Sequence, residues 1–516
     1  MEERYIASID LGTSKLGLCV ARVKGDDVQV VYYKETPSEG IRGSVVANPM
    51  KASAPLLKAI REAEDELMIK ILQVVVGMPR SDVQQETATG RIDRTCPDEY
   101  ISEEEVDNLK SMALESYPLS DPQSQIIYGA VAQSFSIDDR IQLVENDVVG
   151  TLSNELEGHF KIFIGSRRAT AAVDKIFNSM GIAIAKKYFL PDVVAKTVLS
   201  EEERQSGVAL VDIGAGVTSV AIYHGGIMRS YVAIPFGGKT ITGDIRTECS
   251  ISEKLAEKIK IKFGACMPGK LASLSEKVLQ IRLSEPYKEV TVKYVSEVID
   301  ARAREIIDAI LYYIQESGLM NDLRGGIVLT GGGASLVNFA NLFKEVSGYE
   351  VRIGFPRHLF SASVGAGVYN PSATAAVGMV LAAKDDRLPD CITRPEPPAW
   401  SGEAASAGTG MAALVDTGGD TGTDSGYSEP FTVPDAKYEE GEQGSLDLEV
   451  EPAPEETQPA AEKPRKQKKP AEPRRPKMVW IKALGEKVKS GVLNFYDEMT
   501  RDEDAEEVEP KNKEEK

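Results

Sequence analysis

A short glycine turn occurs twice in this chain, each time after an apolar segment that ends in aspartate. Residues 6–15 read IASIDLGTSK, and residues 208–219 read VALVDIGAGVTS. A third glycine element, GIVLTGGGA, follows at residues 326–334. Each element begins with an apolar, β-branched run, which predicts a buried strand. One such turn is weak evidence, but three in this order predict a nucleotide held between two similar half-domains.

Glycine lets the backbone of these turns bring its N–H groups close to an anion. The candidate phosphate-binding residues are Gly12, Thr13, Ser14, Lys15, Gly214, Ala215, Gly216 and Thr218. Asp10 and Asp212 would repel phosphate, so we expect them to act through Mg²⁺, which accepts few carboxylates together with water and phosphate oxygens. For either motif alone, a plain β-hairpin with a D-x-G turn explains the pattern equally well.

The bulk composition excludes several classes of protein. The chain has 516 residues, which is long enough for more than one domain. Its net charge of −20 argues against a general nucleic-acid binder, because such proteins usually carry a basic face. The five cysteines are scattered and form no C-x-x-C pair, so neither a disulfide framework nor a zinc site is predicted.

The order of the glycine motifs resembles that of the actin and sugar-kinase ATPase superfamily. Within it, the chain is most similar to the FtsA family of bacterial cell-division proteins. The similarity also rests on residues 234–239 (IPFGGK), 242–245 (TGDI), 296–299 (SEVI), 325–332 (GGIVLTGG) and 372–378 (SATAAVG), and it covers residues 1–384. It implies an α/β chain with an actin-like two-lobed ATPase fold, an inserted small α+β subdomain, a disordered linker and a C-terminal amphipathic helix.

The domain boundaries follow from this similarity and from local patterns. We expect residues 1–77 to form the first part of lobe 1, residues 78–163 an inserted FtsA-type subdomain, and residues 164–384 the rest of the core with the nucleotide cleft. In the insertion, Ser102 followed by three glutamates predicts a helix start. Residues 125–132 and 159–165 read as strands. An ordinary surface insertion is the alternative for 78–163, whereas alternating helix and strand after 164 favours α/β architecture.

The resemblance also implies which residues bind the adenosine part of the nucleotide. It implies that Gly331, Gly332 and Gly333 pack close to the purine. It further implies that Glu257 and Lys260 lie near the ribose and adenine. These two residues share one helix face at i, i+3, and from sequence alone a solvated ion pair is the better explanation.

The sequence identifies no catalytic base. The second turn has Ala215 where relatives usually have glycine, and Ser219 where many have aspartate. The three histidines lie outside the turns, so no histidine acid–base pair is indicated. We therefore expect ATP and Mg²⁺ to bind and to hold the two lobes in a polymerisable state, with at most slow hydrolysis.

After residue 384 the composition changes. Residues 385–476 are rich in Pro, Gly, Ser, Thr, Glu and Asp, which predicts a disordered linker. Residues 477–496 carry an apolar stripe at helical spacing beside lysines, which is typical of an interfacial membrane helix. The stripe comprises Trp480, Ile481, Leu484, Val488, Val492 and Phe495. A helix that docks into a protein groove has the same pattern, and the acidic tail 497–516 would be repelled by anionic lipid.

The resemblance implies a function in bacterial division. FtsA-like proteins bind ATP, form filaments on the cytoplasmic face of the cell membrane and anchor the tubulin-like protein FtsZ at the septum. The FtsZ tail peptide would dock on residues 236–297 and the start of the next helix, where Arg302 matches a basic position; a plain surface arginine is the alternative. Further expected partners are anionic lipids and other division proteins, but no nucleic acid. The alternative functions are an actin-like scaffold of a pilus or secretion assembly and a soluble kinase or chaperone-type ATPase.

Overall fold

The computed structural model describes residues 3–138, 144–271, 276–281 and 288–393. In chain order, its strands are β1 Glu3–Leu11, β2 Lys15–Lys24, β3 Asp27–Pro37, β4 Ile41–Arg42, β5 Val45–Val46, β6 Lys70–Ile71, β7 Gln73–Gly77, β8 Gln84–Asp93, β9 Gln125–Ile137, β10 Glu155–Ser166, β11 Ala183–Tyr188, β12 Val208–Ile213, β13 Thr218–His224, β14 Ile227–Ile234, β15 Val278–Ile281, β16 Lys288–Thr291, β17 Ile327–Thr330, β18 Val351–Ile353, β19 Ser361–Ala362 and β20 Ile392–Thr393.

The α-helices in the same residues are α1 Pro49–Leu67, α2 Glu103–Glu115, α3 Glu145–Val148, α4 Arg167–Ser179, α5 Leu190–Val198, α6 Glu201–Ser206, α7 Gly238–Cys249, α8 Glu253–Phe263, α9 Val292–Glu316, α10 Phe339–Ser347 and α11 Thr374–Asp385. Short 3₁₀ helices lie at Pro268–Lys270, Met320–Asp322, Gly332–Ser335, Ala366–Tyr369 and Pro371–Ala373. No helix in these ranges is both long enough and apolar enough to cross a membrane.

Two central sheets repeat the same strand order. The sheet of lobe 1 runs β11-β7-β1-β2-β3-β19. Read in the matching direction, the sheet of lobe 2 runs β18-β17-β12-β13-β14, so that only β19 has no counterpart among the described strands. In each, three consecutive strands form an antiparallel meander (β1-β2-β3 and β12-β13-β14), and the first strand of the meander pairs in parallel with a later strand, β7 or β17. The structure therefore confirms the α/β class and the two similar half-domains.

Helices cover the sheet of lobe 2 and explain its apolar strands. All six residues of β12 are buried, as expected for a strand covered on both faces. The 25-residue helix α9 supplies much of the cover and presents an apolar stripe at helical spacing. The stripe comprises Val295, Ile299, Ala303, Ile306, Ile310 and Ile314, all in the apolar core of lobe 2.

The inserted segment forms a small sheet with its own core. Its strands lie in the order β8-β10-β9 and are antiparallel. Helix α2 packs on this sheet and begins at Ser102 with a capping box, in which the Ser102 hydroxyl accepts from the Glu105 N–H and the Glu105 carboxylate accepts from the Ser102 N–H. The segment also contacts lobe 2, because the Tyr231 N–H of β14 donates to Gln85 Oε1 of β8 at 3.1 Å.

Residues beyond 384 still belong to the folded core. The Cys391 N–H donates to the carbonyl of Tyr5 at 2.8 Å, and the Leu72 N–H donates to the carbonyl of Cys391 at 2.9 Å. Strand β20 then pairs with β6, and Ile392 is buried. The boundary predicted at 384 therefore lies too early. The rest of the predicted linker, the helix 477–496 with its six stripe residues, and the tail 497–516 lie outside the described residues.

Candidate functional site

The two aspartate-bearing turns face each other between the lobes. Both lie in β-hairpins, β1–β2 and β12–β13, as the simpler explanation of each motif predicted. The hairpins nevertheless meet, because a Cβ built on Gly216 would lie 2.9 Å from Oγ1 of Thr13. Thr13 is itself held by the Ser44 N–H, which donates to Oγ1 at 3.1 Å. The sequence elements expected to bind phosphate are thus together in space.

The third glycine turn closes one side of this site. It follows β17, and because β17 runs parallel to β12, Thr330 is the register partner of Asp212. Gly331 has φ 81° and ψ 169°, and a Cβ there would lie 2.3 Å from Oδ1 of Asp212. A Cβ on Gly332 would lie 3.8 Å from Nζ of Lys15. The turn therefore approaches residues of both hairpins, and only glycine allows this approach.

An arginine that the sequence analysis did not identify lies between the two aspartates. Arg80 donates from Nη1 to Oδ2 of Asp212 at 2.6 Å and from Nη2 to Oδ1 of Asp10 at 3.3 Å. The side chains of Arg80, Asp10 and Asp212 are only 12, 20 and 11% exposed. Arg80 comes soon after β7, whose parallel pairing with β1 places the end of β7 beside Asp10. A basic residue just past a buried parallel strand is the signal that could have found it.

Charge and burial act against each other in this cluster. Burial raises the pKa of the Asp10 carboxyl above its ordinary value; the Arg80 guanidinium opposes the rise, and the Asp212 carboxylate adds to it. Burial alone would lower the pKa of Arg80, but the carboxylates of Asp212 and Asp10 outweigh it and raise that pKa. The guanidinium is thus a permanent cation that two buried carboxylates share.

The carboxylates of Asp10 and Asp212 are suitable ligands for the Mg²⁺ that the sequence predicts here. Two carboxylates face the gap between the hairpins, and Mg²⁺ commonly takes one or two carboxylates, with water and phosphate oxygens completing its shell. The described residues contain no group of three or more His, Cys, Asp or Glu side chains placed to hold a metal ion without other ligands. Asp10 and Asp212 therefore fit a nucleotide-bound cation, provided that Arg80 withdraws from them.

Lys15 is held by Glu35, a second residue that the sequence analysis did not identify. Its Nζ lies 2.7 Å from Oε2 of Glu35, and Glu35 also accepts hydrogen bonds from the hydroxyls of Ser372 and Tyr33, at 2.7 and 2.9 Å. Burial would raise the pKa of Glu35, but the hydrogen bond and charge of Lys15, with the two hydroxyls, lower it. The ammonium group predicted to contact phosphate is therefore held beside Gly332.

The predicted adenosine pair lies next to the second phosphate turn. Nζ of Lys260 donates to the carbonyl of Gly238 at 2.9 Å and to Oγ1 of Thr242 at 2.8 Å, and it lies 2.8 Å from Oε2 of Glu257. The Gly238 N–H in turn donates to the carbonyl of Gly214 at 2.9 Å. Lys260 is only 14% exposed, so a solvated surface pair does not describe it.

Two predicted residues make different contacts from those expected. The hydroxyl of Thr218 is buried and donates to the carbonyl of Phe236 at 2.8 Å, so it supports the turn from inside. Arg302 donates to both carboxylate oxygens of Asp244 on α7, at 2.5 and 2.9 Å, and to Glu305 at 2.7 Å. Arg302 lies inside α9, which runs unbroken from Val292 to Glu316, so the helix that carries it begins before residue 297.

Comparisons with known proteins give the family. The model of the family "Cell division protein FtsA" matches residues 209–378. The cell division protein FtsA of Borreliella burgdorferi is 31% identical over 383 residues, which cover 74% of this chain and 91% of the relative. The chain belongs to the FtsA family. FtsA of Neisseria meningitidis serogroup B is 28% identical over 390 residues, again with 74% and 91% coverage.

A solved structure agrees with the fold. The chain is similar to the PilM–PilN type IV pilus biogenesis complex with a TM-score of 0.53 and 16% identity, over 73% of this chain and 98% of that one. At this identity the likeness concerns the fold alone. Together, the family and the fold establish a bacterial cell-division protein with an actin-like α/β architecture.

Proposed function

We propose that this FtsA-family chain binds Mg²⁺-ATP between its lobes, assembles into filaments on the cytoplasmic face of the cell membrane, and anchors FtsZ there at the division septum. The observation that carries the nucleotide part is the convergence of three glycine turns on Asp10 and Asp212. Two tight hairpin turns, a glycine turn without side chains and a pair of carboxylates are the parts that a metal–triphosphate site needs.

Each part of the site has a distinct task. The backbone of 12–14 and 215–216 would donate to phosphate oxygens, and Lys15 would add positive charge. The Gly214 N–H instead donates to the carbonyl of Val217 at 2.9 Å and holds the second turn in shape. Asp10 and Asp212 would hold the metal, directly or through water, and the metal would neutralise phosphate charge. The turn 331–333, with Glu257 and Lys260, would bind the adenosine. A ligand that contacts both lobes stabilises their closed arrangement, which is how ATP would favour assembly.

Slow hydrolysis follows from the same residues. Ser219, at the position where many relatives have aspartate, shares a hydrogen bond with the hydroxyl of Tyr231 at 3.3 Å. Both side chains are buried, and a serine hydroxyl, unlike an aspartate carboxylate, carries no charge with which to activate water. We therefore propose that the nucleotide acts mainly as a clamp.

The membrane and FtsZ parts of the proposal rest on the sequence and on the family. The stripe from Trp480 to Phe495 would lie in the lipid interface, and the lysines around it would contact anionic headgroups. Arg302 is one-third exposed on α9, and an acidic FtsZ tail peptide would compete with Asp244 for its guanidinium.

The nucleotide part is tested with Asp212→Asn. This change removes one negative charge and keeps the shape of the side chain and an oxygen acceptor for Arg80, so the fold should survive. Calorimetric titration with ATP and Mg²⁺ should show affinity lost at least tenfold, about 1.4 kcal/mol. Asp192→Ala is the control, because Asp192 forms an exposed i, i+4 pair with Lys196 on α5. Equal ATP affinity in all three proteins would reject the role given to Asp212.

The membrane part is tested by co-sedimentation with vesicles that contain anionic lipid. The full chain should pellet, whereas a chain ending at Pro476 should stay in the supernatant. Trp480→Glu should also release the chain, because a charge in the apolar stripe opposes insertion. Trp400→Glu is the matched control, since Trp400 is the chain's other tryptophan and lies upstream of the stripe. Pelleting of the truncated chain would contradict a C-terminal anchor.

The FtsZ part is tested by a pull-down with the FtsZ tail peptide. Wild-type chain should bind, and Arg302→Ala should bind more weakly. If the wild-type chain fails to bind, the proposed anchoring of FtsZ is rejected, and the chain would act in division through a different partner.

A further inference from the structure

Arg80 is a buried charge to which the proposed function gives no task. Its guanidinium occupies the space where a nucleotide-bound cation would meet Asp10 and Asp212. The wall beside it is largely apolar and includes Leu190, Val194 and Leu210, so little solvent screens these charges. In lobe 2, the hydroxyl of Tyr231 donates to the Arg80 carbonyl at 3.3 Å and fixes the backbone from which the side chain extends.

We propose that Arg80 and the divalent cation of a bound nucleotide are alternative occupants of the space between Asp10 and Asp212, so that Mg²⁺-ATP binds only when the guanidinium leaves. This inference rests on the proposed nucleotide function and names the residue that controls its metal dependence.

The competition follows from shared ligands. Arg80 uses Oδ2 of Asp212 and Oδ1 of Asp10, which are oxygens that the metal or its bound water would need. A guanidinium and a divalent cation in the same small, poorly screened space would also repel each other. Both cations cannot satisfy the same two carboxylates at once.

The two carboxylates also require a positive charge between them. Asp10 and Asp212 are buried carboxylates that face each other across the lobes, and two such charges without a cation would repel each other and destabilise the closed arrangement. Arg80 provides the positive charge. Because its backbone is fixed and its side chain is long, the guanidinium can swing away while the Arg80 carbonyl and the Gln85 side chain keep their hydrogen bonds to Tyr231.

The consequence is that the wild-type chain should need a higher Mg²⁺ concentration to bind ATP than a chain without the Arg80 charge. If Arg80 fills the site about nine-tenths of the time, the apparent dissociation constant of the competing ligand rises about tenfold. Removal of the arginine charge should therefore lower the Mg²⁺ concentration at which ATP binds.

The experiment compares the full-length wild-type chain with Arg80→Gln, which keeps N–H donors for the carboxylates and removes the charge. ATP binding is followed with a fluorescent ATP analogue across a series of Mg²⁺ concentrations. We expect the half-saturating Mg²⁺ concentration to fall about tenfold in Arg80→Gln. Arg91→Gln, an exposed β8 arginine paired with Glu155, should match the wild type. An unchanged or higher Mg²⁺ requirement in Arg80→Gln, or weaker binding at saturating Mg²⁺, overturns the proposal.

A second measurement needs no nucleotide and separates this proposal from the proposed function. Binding of Mn²⁺ alone to the nucleotide-free chain is measured by electron paramagnetic resonance. Arg80→Gln should bind Mn²⁺ more tightly than the wild type, and Arg80→Lys, which keeps a charge but loses the two-pronged geometry, should fall between them. Equal Mn²⁺ binding in all three rejects the competition. If neither the wild type nor Arg80→Gln binds ATP while Mn²⁺ binding follows the expected order, only the nucleotide function is rejected. Circular dichroism checks that each variant is folded.

Discussion

Gly331→Ala should damage the site through two separate effects that the structure lets us estimate. At φ 81° and ψ 169°, Gly331 has a backbone conformation that is nearly restricted to glycine, and a side chain there costs about 1–3 kcal/mol. The new Cβ would also lie 2.3 Å from Oδ1 of Asp212 and 2.7 Å from the carbonyl of Ile213. Relief of such overpacking costs about 1–3 kcal/mol more. The expected loss of stability is therefore roughly 2–6 kcal/mol.

The effect on ligand binding has the same cause. Either the turn 331–333 moves away from β12, or Asp212 rotates away from the gap between the hairpins. Both movements disturb groups proposed to bind the nucleotide, so ATP binding should fall at least tenfold, or about 1.4 kcal/mol. Urea unfolding followed by circular dichroism measures the stability, and calorimetry measures the binding.

Gly348→Ala is the matched control for this experiment. Gly348 also has a positive φ, 73°, but a Cβ built there would meet no atom within 4 Å. Its replacement should cost about 1–2 kcal/mol from the backbone alone and leave ATP binding unchanged. If Gly331→Ala loses no more stability than Gly348→Ala and still binds ATP like the wild type, the geometric argument for the third turn is refuted.

Two further changes test local contacts. Ser102→Ala removes the hydroxyl that accepts the Glu105 N–H in the α2 capping box and should cost about 1 kcal/mol in urea unfolding, whereas Ser111→Ala, inside the same helix, should cost less. Glu35→Gln should lower stability at neutral pH and flatten its pH dependence. Because the pKa of Glu35 is lowered from its ordinary 4.5, its contribution is present above that value and is lost as the pH falls below it. Unfolding midpoints from pH 7 to pH 3 measure this, and an unchanged pH profile in Glu35→Gln would contradict it.

Much of the fold could be predicted because its signals are local. The apolar runs before Gly12 and Gly214 are strands β1 and β12, and the serine before three glutamates begins α2. These features depend on neighbouring residues, so a pattern in one sequence is enough to show them. The apolar stripe of α9 is equally local, and its regular spacing from Val295 to Ile314 indicates one continuous helix.

The missed features depend on contacts between distant parts of the chain. Composition changes after 384, yet Ile392 pairs with Ile71, and no local signal shows that pairing. Arg80 was missed because its importance comes from the parallel pairing of β7 with β1. Likewise, Glu35 and Ser372 are 337 residues apart in the chain and meet beside Lys15 only in the folded structure.

The repeated strand order of the two lobes has a consequence for how a ligand can enter. Strands β7 and β17 hold equivalent places in their sheets, so the residues that follow them are counterparts. One counterpart carries the bulky, positively charged Arg80, and the other, 331–333, carries no side chains. The near-symmetry of the backbone is thus broken on the two sides of Asp212, where Arg80 contacts Oδ2 and a Cβ on Gly331 would meet Oδ1. A ligand that entered between the lobes would therefore meet a charged side chain from lobe 1 and bare backbone from lobe 2, although the two lobes share one strand order.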